Sequence, residues 1–312
     1  MTSVVALFGP TASGKSAVAV ALAERIGGEV VSADAMQCYR GLPILTNQPP
    51  AADLARVPHH CVAVWDPSEE GDVMRYAAMA RAAIDDVLAR GRVPIVAGGT
   101  GLYLRAAVAD LEPPPEPPAG LRERIAAGAS DAALHARLHA LDPGAAARLH
   151  PHDRRRVVRA LELVALGHTL VPAGDDELWS DATRHPTLFV GLDVPRAELH
   201  RRIAERTRAM LDGGVVEEVR ALLARPEPVS STFARAHGLS DVIELLEGAP
   251  RAACEQRLVE RTRQYAKRQQ TWLRRLSRVH LVDGTLAVNE AAAQIDVLLA
   301  AERERSPLPS AP

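Results

Sequence analysis

Gly9, Gly14, Lys15 and Ser16 follow the apolar run Val4–Phe8 with the spacing Gly-x4-Gly-Lys-Ser, inside the stretch VVALFGPTASGKS. That pattern suits a backbone loop that wraps an anion. Glycines let the chain approach phosphate oxygens closely, and amides at the start of the following helix point at the negative charge. Lys15 adds a mobile positive charge, and the Ser16 hydroxyl is of the kind that ligates Mg2+. The motif leaves open what the phosphates are attached to: a nucleoside triphosphate is the commoner ligand, and any diphosphate ester also fits. A carboxylate, Asp34 in SADAMQCYRG (32–41), falls where a second apolar run ends. In open parallel sheets ligands bind at that edge. An acid there can hold Mg2+ through water or accept a proton from a nucleophile. It can equally cap a helix starting at Ala35.

Basic residues cluster twice. Arg154, Arg155, Arg156 and Arg159 form one group, suited to phosphates and bases or to a solvated helix face. From Arg257 to Arg278, eight Lys and Arg stand against one acid, Glu260, with Tyr265 and Trp272 interleaved. Charge with aromatics suits RNA, although the two aromatics also fit a packing stripe. His59, His60, His150 and His152 have no Cys or acid to complete a ligand set and are expected to be structural. Cys38, Cys61 and Cys254 are scattered without a CxxC pair, which excludes a disulfide framework and a zinc site. Cys38 is expected to be an apolar filler beside Asp34.

The elements that must position these groups alternate. Val4–Phe8 reads as a buried strand and Lys15–Ile26 as a helix ended by Gly27-Gly28. Glu29–Ala33 and Arg92–Ala97 read as further strands, with a helix over Val73–Ala89 between them. The second of these strands runs into Gly98-Gly99-Thr100-Gly101 and the helical stretch LYLRAAVADL. PPPEPP (113–118) stiffens the chain and removes amide donors, so it marks a domain edge. Residues 119–170 are helical in pattern, a strand returns at Thr187–Leu192, and the C-terminal third is helical again. The expected fold class is α/β: a P-loop NTPase-like parallel sheet flanked by helices, with an inserted all-helical subdomain. Its discontinuous core spans 1–112 and 184–300, the insertion 113–183, and a disordered tail 301–312.

A chain of 312 residues is ample for a buried core, and 24% charged residues with 47% hydrophobic is ordinary for a soluble enzyme. The net charge of −2 means that a nucleic acid must be held by local basic patches. No apolar run approaches the ~20 residues that span a bilayer, and no signal-type leader precedes the first strand. A cytoplasmic protein without membrane contact is expected.

GPTASGKS, SADAMQCYRG, VPHH, DPSEE, GGTGLYL, HPHDRRRVVRALE and TRQYAKRQQTW occur in the order seen in the tRNA dimethylallyltransferases, also called tRNA isopentenyltransferases. The chain resembles that family from Val4 to about Trp272, and its bacterial type, since the zinc-finger extension of eukaryotic relatives is not found. The resemblance implies transfer of the dimethylallyl group from dimethylallyl diphosphate to a tRNA. The acceptor is the exocyclic N6 amine of the adenosine immediately 3′ of the anticodon, in tRNAs reading codons that begin with U, and diphosphate is released. It implies that Gly9, Pro10, Thr11, Ala12, Ser13, Gly14, Lys15 and Ser16 hold the donor diphosphate, with Mg2+ on Ser16, and that no phosphoryl group moves. Asp34 matches the catalytic aspartate, the base for a weakly nucleophilic amine. Thr100 in GGTGLYL matches a threonine touching both diphosphate and incoming base; taken alone it is equally a turn residue. Arg206 in RIAERTRAML matches an arginine that contacts diphosphate, with a solvated helix arginine as the alternative. Asp34, Ala35, Met36 and Gln37, with Thr100, match the segment that receives the flipped adenosine. Arg155, Arg156, Val157, Val158 and Arg159 match a second tRNA-contacting segment, and Arg122 a further contact position. The implied partners are the tRNA anticodon stem-loop and dimethylallyl diphosphate, and a monomer is expected.

The chain departs from the family in four places. Ala35 stands where DSMQ is usual, Gln48 where GTAKP has lysine, and Arg155 where HPNDRQR has glutamine. Leu239 and Ser240 stand where an aromatic-basic step is common. None touches Asp34, Lys15, Ser16 or Thr100. Two rival readings are a P-loop nucleotide kinase, with the helical insertion as its lid, and an adenylate isopentenyltransferase, which needs neither the insertion nor the basic C-terminal helix. A non-catalytic RNA-binding module would have no use for Asp34 beside a complete phosphate loop.

Overall fold

The structure is a computed structural model that describes residues 4–110, 115–171, 182–276 and 278–305. The chain divides into two compact units, Met1–Asp110 with Asp181–Pro312, and Leu111–Ser180.

In the first unit β1 (Val4–Phe8) leads through a loop into α1 (Lys15–Ile26), then β2 (Glu29–Ser32), α2 (Ala51–Arg56) and β3 (His59–His60). Next come α3 (Val73–Ala89), β4 (Pro94–Gly98) and α4 (Gly101–Val108). The strands form one parallel sheet with two later strands, β5 (Thr187–Asp193) and β6 (His280–Asp283), in the order β3-β2-β4-β1-β5-β6. β1 is buried on both faces, which explains its unbroken apolar sequence. Its side chains alternate between two cores. Val4, Ala6 and Phe8 join the core that includes Tyr76, Ile84, Leu104 and Leu258. Val5 and Leu7 join the core that includes Val18 and Leu22 of α1 and Ile295 and Leu299 near the C-terminus. The carboxyl ends of β1, β2 and β4 therefore lie side by side at one edge of the sheet, with the phosphate loop, Asp34 and Thr100 immediately beyond them.

Predicted and observed strands coincide at β1 and differ by a residue or two at β2, β4 and β5. β3 and β6 were not anticipated; at two and four residues they are too short for a period of two to stand out.

The second unit carries α5 (Leu121–Ala126), α6 (Asp131–Leu141), α7 (Pro143–Arg148) and α8 (Arg154–Ala165). Its caps are written in the sequence: Ser130 accepts from Ala133 N, Asp142 from Ala145 N with Pro143 following, and Asp153 from Arg156 N. Leu134, Leu138, Val157 and Leu161 form its apolar centre. Back in the first unit, β5 is followed by α9 (Arg196–Asp212), α10 (Val215–Leu223), a short turn of 3₁₀ helix, α11 (Leu239–Leu246), the long α12 (Arg251–Leu273) and, after β6, α13 (Val288–Arg305). The expected disordered tail is corrected over residues 301–305, which continue α13; 306–312 lie outside the described residues, as do 113–114 of the proline run. Among the described residues no helix is long and apolar enough to cross a membrane.

Candidate active site

The loop between β1 and α1 has the backbone that its glycines foretell. Gly14 caps α1 at φ 88°, a left-handed conformation that glycine adopts freely, and Ala12 is held at φ 64°. A non-glycine residue in that region is strained, a feature that collects at ligand clamps. Ser13 N donates to Pro10 O at 3.1 Å, closing the loop on itself. Ser13 Oγ is buried without a hydrogen-bond partner among the described residues, so an incoming phosphate oxygen would satisfy it. The first intrahelical bond is Val18 N to Gly14 O, and the amides of Lys15 and Ser16 belong to the open first turn. No acid occupies that turn, so nothing there opposes a bound anion.

Asp34 sits at the carboxyl end of β2 and does not cap a helix: residues 35–38 form a turn. Asp34 Oδ1 accepts from Met36 N at 3.0 Å, which orients the carboxylate. Gln37 braces the same turn, accepting from Ser32 Oγ at 2.8 Å and donating to Asn47 O at 2.6 Å. Gln48, the departure from lysine, donates to Tyr39 O at 2.6 Å and acts as a further brace. Ala35 is partly buried against the core. Thr100 is the residue before α4, with its Oγ1 3.4 Å from the Tyr265 hydroxyl. Arg206 projects from α9 and donates to Thr11 Oγ1 at 2.7 Å, so it reaches the phosphate loop directly and is not a solvated helix arginine.

Of these groups Thr11, Asp34, Arg206 and Tyr265 meet around a cavity of about 100 Å³. One part of its wall is polar, with Thr11, Asp34, Arg206, His237 and Tyr265, and the rest is apolar, with Met36, Leu45, Ile203, Met210 and Leu258. Burial pushes the Lys15 ammonium down to about 8, opposed by the negative charge of Asp34 and reinforced by Arg206. Burial also lowers the Arg206 guanidinium, and Asp34 counters it. The Tyr265 hydroxyl is pushed up to about 12, mainly by burial and then by the charge of Asp34, so it stays protonated. His237 stacks on the Tyr265 ring with centroids 5.6 Å apart, and burial lowers its imidazole. His237 was not singled out from the sequence, and Tyr265 was read there as an RNA-facing or packing aromatic; RAHGLSD and TRQYAKRQQTW hold them, but nothing local says that they line the cavity with Asp34. In RAHGLSD, Leu239 enters the core and Ser240 Oγ accepts from Arg261.

The Lys15 shift sets a pH dependence for anion binding. The free protein loses this positive charge as pH rises through about 8, and a bound anion favours the protonated form. Pyrophosphate affinity relative to a Lys15→Met variant is therefore expected to fall as pH rises above about 8, by at most tenfold per unit, and to be flat below it. Titration calorimetry of both proteins from pH 6 to 10 checks this at about one-unit steps; the ratio removes the ionisation of pyrophosphate itself.

Among the described residues no group of three or more His, Cys, Asp and Glu is placed to hold a metal ion. The donors near the loop are hard oxygens, the exposed Ser16 hydroxyl and the Asp34 carboxylate. They fit a Mg2+ ion, which is commonly held by few protein groups and completed by phosphate oxygens and water.

In the second unit the expected contact residues differ in burial and in partners. Val157 and Val158 are core side chains, 0% and 5% exposed, and are corrected as contact side chains. Arg122 Nε and Nη2 donate to the buried Glu162 at 2.7 and 3.2 Å, and Arg159 donates to Glu162 at 3.3 Å and to Pro115 O at 3.1 Å. A carboxylate with 0% exposure needs those partners, so Arg122 and Arg159 both have a structural role, while the Arg122 side chain stays 54% exposed. Arg154 is tied to Asp131, Ala126 and Ala129. Arg155 and Arg156 remain exposed. Arg122→Ala is expected to cost about 1–3 kcal/mol of stability with tRNA affinity unchanged, as read by urea unfolding and a tRNA binding titration.

The basic run of α12 divides likewise. Arg257 and Arg261 pair with the fully buried Asp241 of α11 at 3.1 and 3.0 Å. Arg263, Lys267 and Arg274 instead line a cleft of about 520 Å³ between α9 and α12, with Arg196 and His200 opposite.

A family profile described as "IPP transferase" matches residues 37–276, and one described as "Isopentenyl transferase" matches residues 2–59. The chain is 44% identical over 309 residues to a tRNA dimethylallyltransferase of Anaeromyxobacter sp. (strain Fw109-5), covering 95% of this chain and 99% of that one. It is 48% identical over 281 residues to a tRNA dimethylallyltransferase of Anaeromyxobacter dehalogenans (strain 2CP-C), covering 87% and 91%. Its fold matches the full-length tRNA isopentenylpyrophosphate transferase from Bacillus halodurans with a TM-score of 0.71 at 32% identity, covering 98% of each chain. A eukaryotic dimethylallyltransferase acting on tRNA matches with a TM-score of 0.79 at 26% identity, over 98% of this chain and 80% of that one.

Proposed function

The chain belongs to the tRNA dimethylallyltransferase family, and from that premise we propose how its own residues carry out the reaction. It is a prenyltransferase that acts on tRNA. The donor is dimethylallyl diphosphate, and the acceptor is the N6 amine of the adenosine immediately 3′ of the anticodon, in tRNAs reading codons that begin with U. The observation that carries this reading is the cavity: beside the phosphate loop, at Thr11, it brings the Arg206 cation, the Asp34 carboxylate and an apolar wall into one small volume. A diphosphate head with a short branched hydrocarbon matches that division.

The loop amides, Lys15 and Arg206 grip the diphosphate, with Ser13 Oγ finding an acceptor or donor there. The apolar wall formed by Ile203, Met210 and Leu258 receives the hydrocarbon and keeps water away. Asp34 lies beside the adenine amine, whose lone pair is delocalised into the ring. As the amine nitrogen bonds to C1 of the dimethylallyl group, the C1–O bond breaks and its electron pair departs on diphosphate. The N6 proton passes to the Asp34 carboxylate. Lys15 and Arg206 stabilise the charge that accumulates on the leaving group. Ser16 would hold Mg2+, which would supply further neutralisation of that charge. Thr100, bonded to Tyr265, touches both the base and the diphosphate. The protein acts as a monomer in the cytoplasm, with Arg155 and Arg156 of the helical unit and Arg263, Lys267 and Arg274 of α12 meeting tRNA phosphates.

Incubation of the protein with dimethylallyl diphosphate, Mg2+ and unmodified tRNA tests the proposal. Nucleoside mass spectrometry is expected to show an adenosine with one N6 hydrogen replaced by dimethylallyl. Transfer of phosphate from labelled ATP, without prenylation, would overturn it.

A further inference from the structure

We propose that Gln269 is a positioning residue that locks the phosphate loop to the loop bearing Thr100, so that donor and acceptor are held in one register. The inference rests on the donor-site reading above and concerns how that site is kept in shape.

Gln269 lies in α12 and is 3% exposed. Its Oε1 accepts from Thr11 N at 2.7 Å and its Nε2 donates to Gly99 O at 2.8 Å. The two partners fix the amide's orientation, since a backbone N–H can only donate and a carbonyl can only accept. Glutamate would lack the donor, and lysine or arginine the acceptor. β1 and β4 are paired as far as Phe8 and Gly98, where the sheet register ends. Beyond that point the chains diverge into the two loops, and Gln269 supplies a tie that the sheet no longer can.

Its neighbours on α12 act on the residues next to Gly99. Tyr265, Gln269 and Trp272 share one helix face. Tyr265 reaches Thr100, and Gln269 reaches Gly99. A Cβ at Gly99 would overlap Gln269 Nε2, and one at Gly101 would overlap the Trp272 ring. Gly99 and Gly101 are therefore required by the closeness of α12, whereas Gly98 is required by the closeness of Ala33 beyond β2. Thr11 is held at both its amide, by Gln269, and its hydroxyl, by Arg206. A positional error of about 1 Å in such an arrangement costs on the order of 100-fold in rate.

Gln269→Met keeps the length and removes both bonds. It is expected to lower kcat for tRNA prenylation about 100-fold and to weaken inorganic pyrophosphate binding about tenfold. Affinity for an anticodon stem-loop should stay unchanged. Gln269→Glu, which retains the bond from Thr11 N, should fall between Met and wild type in kcat. Unchanged kcat and pyrophosphate binding would overturn the inference, as would losses in kcat, pyrophosphate and tRNA binding that all track the change in Tm. Should the variants not fold, amide exchange of the wild-type protein decides: slow exchange at Thr11 N–H without ligand supports the clamp, and exchange at a free-amide rate refutes it. A wild-type protein that binds no pyrophosphate would instead refute the donor-site reading.

Discussion

Asp34→Asn is expected to lower kcat for tRNA prenylation by about 10²- to 10⁴-fold, the range spanned by loss of a positioned general base. Asparagine keeps the shape of aspartate and still offers an oxygen to Met36 N, so the turn that carries the flipped-base segment should persist. Affinity for tRNA is therefore expected to remain within the wild-type range. The substitution has one predictable side effect. The negative charge of Asp34 raises the Lys15 ammonium against the effect of burial, so its removal lowers that group further. Donor affinity of the variant should then weaken at high pH, and the kcat comparison is best made near pH 6, about two units below the wild-type Lys15 value. Single-turnover rates at saturating donor and tRNA give the measurement. A variant that turns over normally would remove the base from Asp34, and one that loses tRNA binding in proportion would make it a contact residue.

Lys15→Met is expected to reduce kcat/KM for the donor by about 10²- to 10³-fold, the scale for deleting one preorganised group that stabilises developing negative charge. The same change should raise Tm at neutral pH. In the native protein Lys15 titrates near 8, below its value in an unfolded chain. The folded state therefore binds fewer protons than the unfolded state between about 8 and 10.5, and stability rises with pH across that window. Below it the full cost of holding a charged ammonium in the loop is present, and an apolar side chain of similar length relieves it. Opposite signs for activity and stability identify a group retained for function. A variant with both reduced would instead assign Lys15 to the integrity of the loop. Calorimetric scans at pH 7 and near pH 10, about the span of the shift, with donor titrations on the same samples, separate the two.

Parts of this molecule whose structure depends on neighbours in sequence were legible beforehand. β1 shows as an unbroken apolar run because it is buried on both faces, and α1 shows through the Gly-Lys-Ser start and the Gly27 stop. Ser130, Asp142 and Asp153 announce their helices by local hydrogen bonding. The phosphate loop belongs to the same class, since its chemistry lies in consecutive amides. Asp34 and Thr100 could be placed at strand ends, and the resemblance supplied their roles. Asp34's alternative as a helix cap fell because no helix follows it.

The remaining assignments depend on which side chains meet across the fold, and no local pattern encodes that. Arg122 and Arg159 look like the exposed Arg155 until the buried Glu162 is seen between them. Val157 and Val158 sit in a basic motif, yet their helix face turns them into the core of the second unit. Arg257 and Arg261 belong to Asp241, while Lys267 on the same helix faces a cleft. Gln269 meets Thr11 across 258 residues of chain. The amino-acid sequence by itself determined the anion loop, the sheet edge that displays it and the type of chemistry, because short-range backbone geometry and residue identity are enough for these. Tertiary structure alone decided which cations are spent on buried carboxylates and which side chains close the cavity, because desolvation and hydrogen-bond satisfaction are properties of the folded interior.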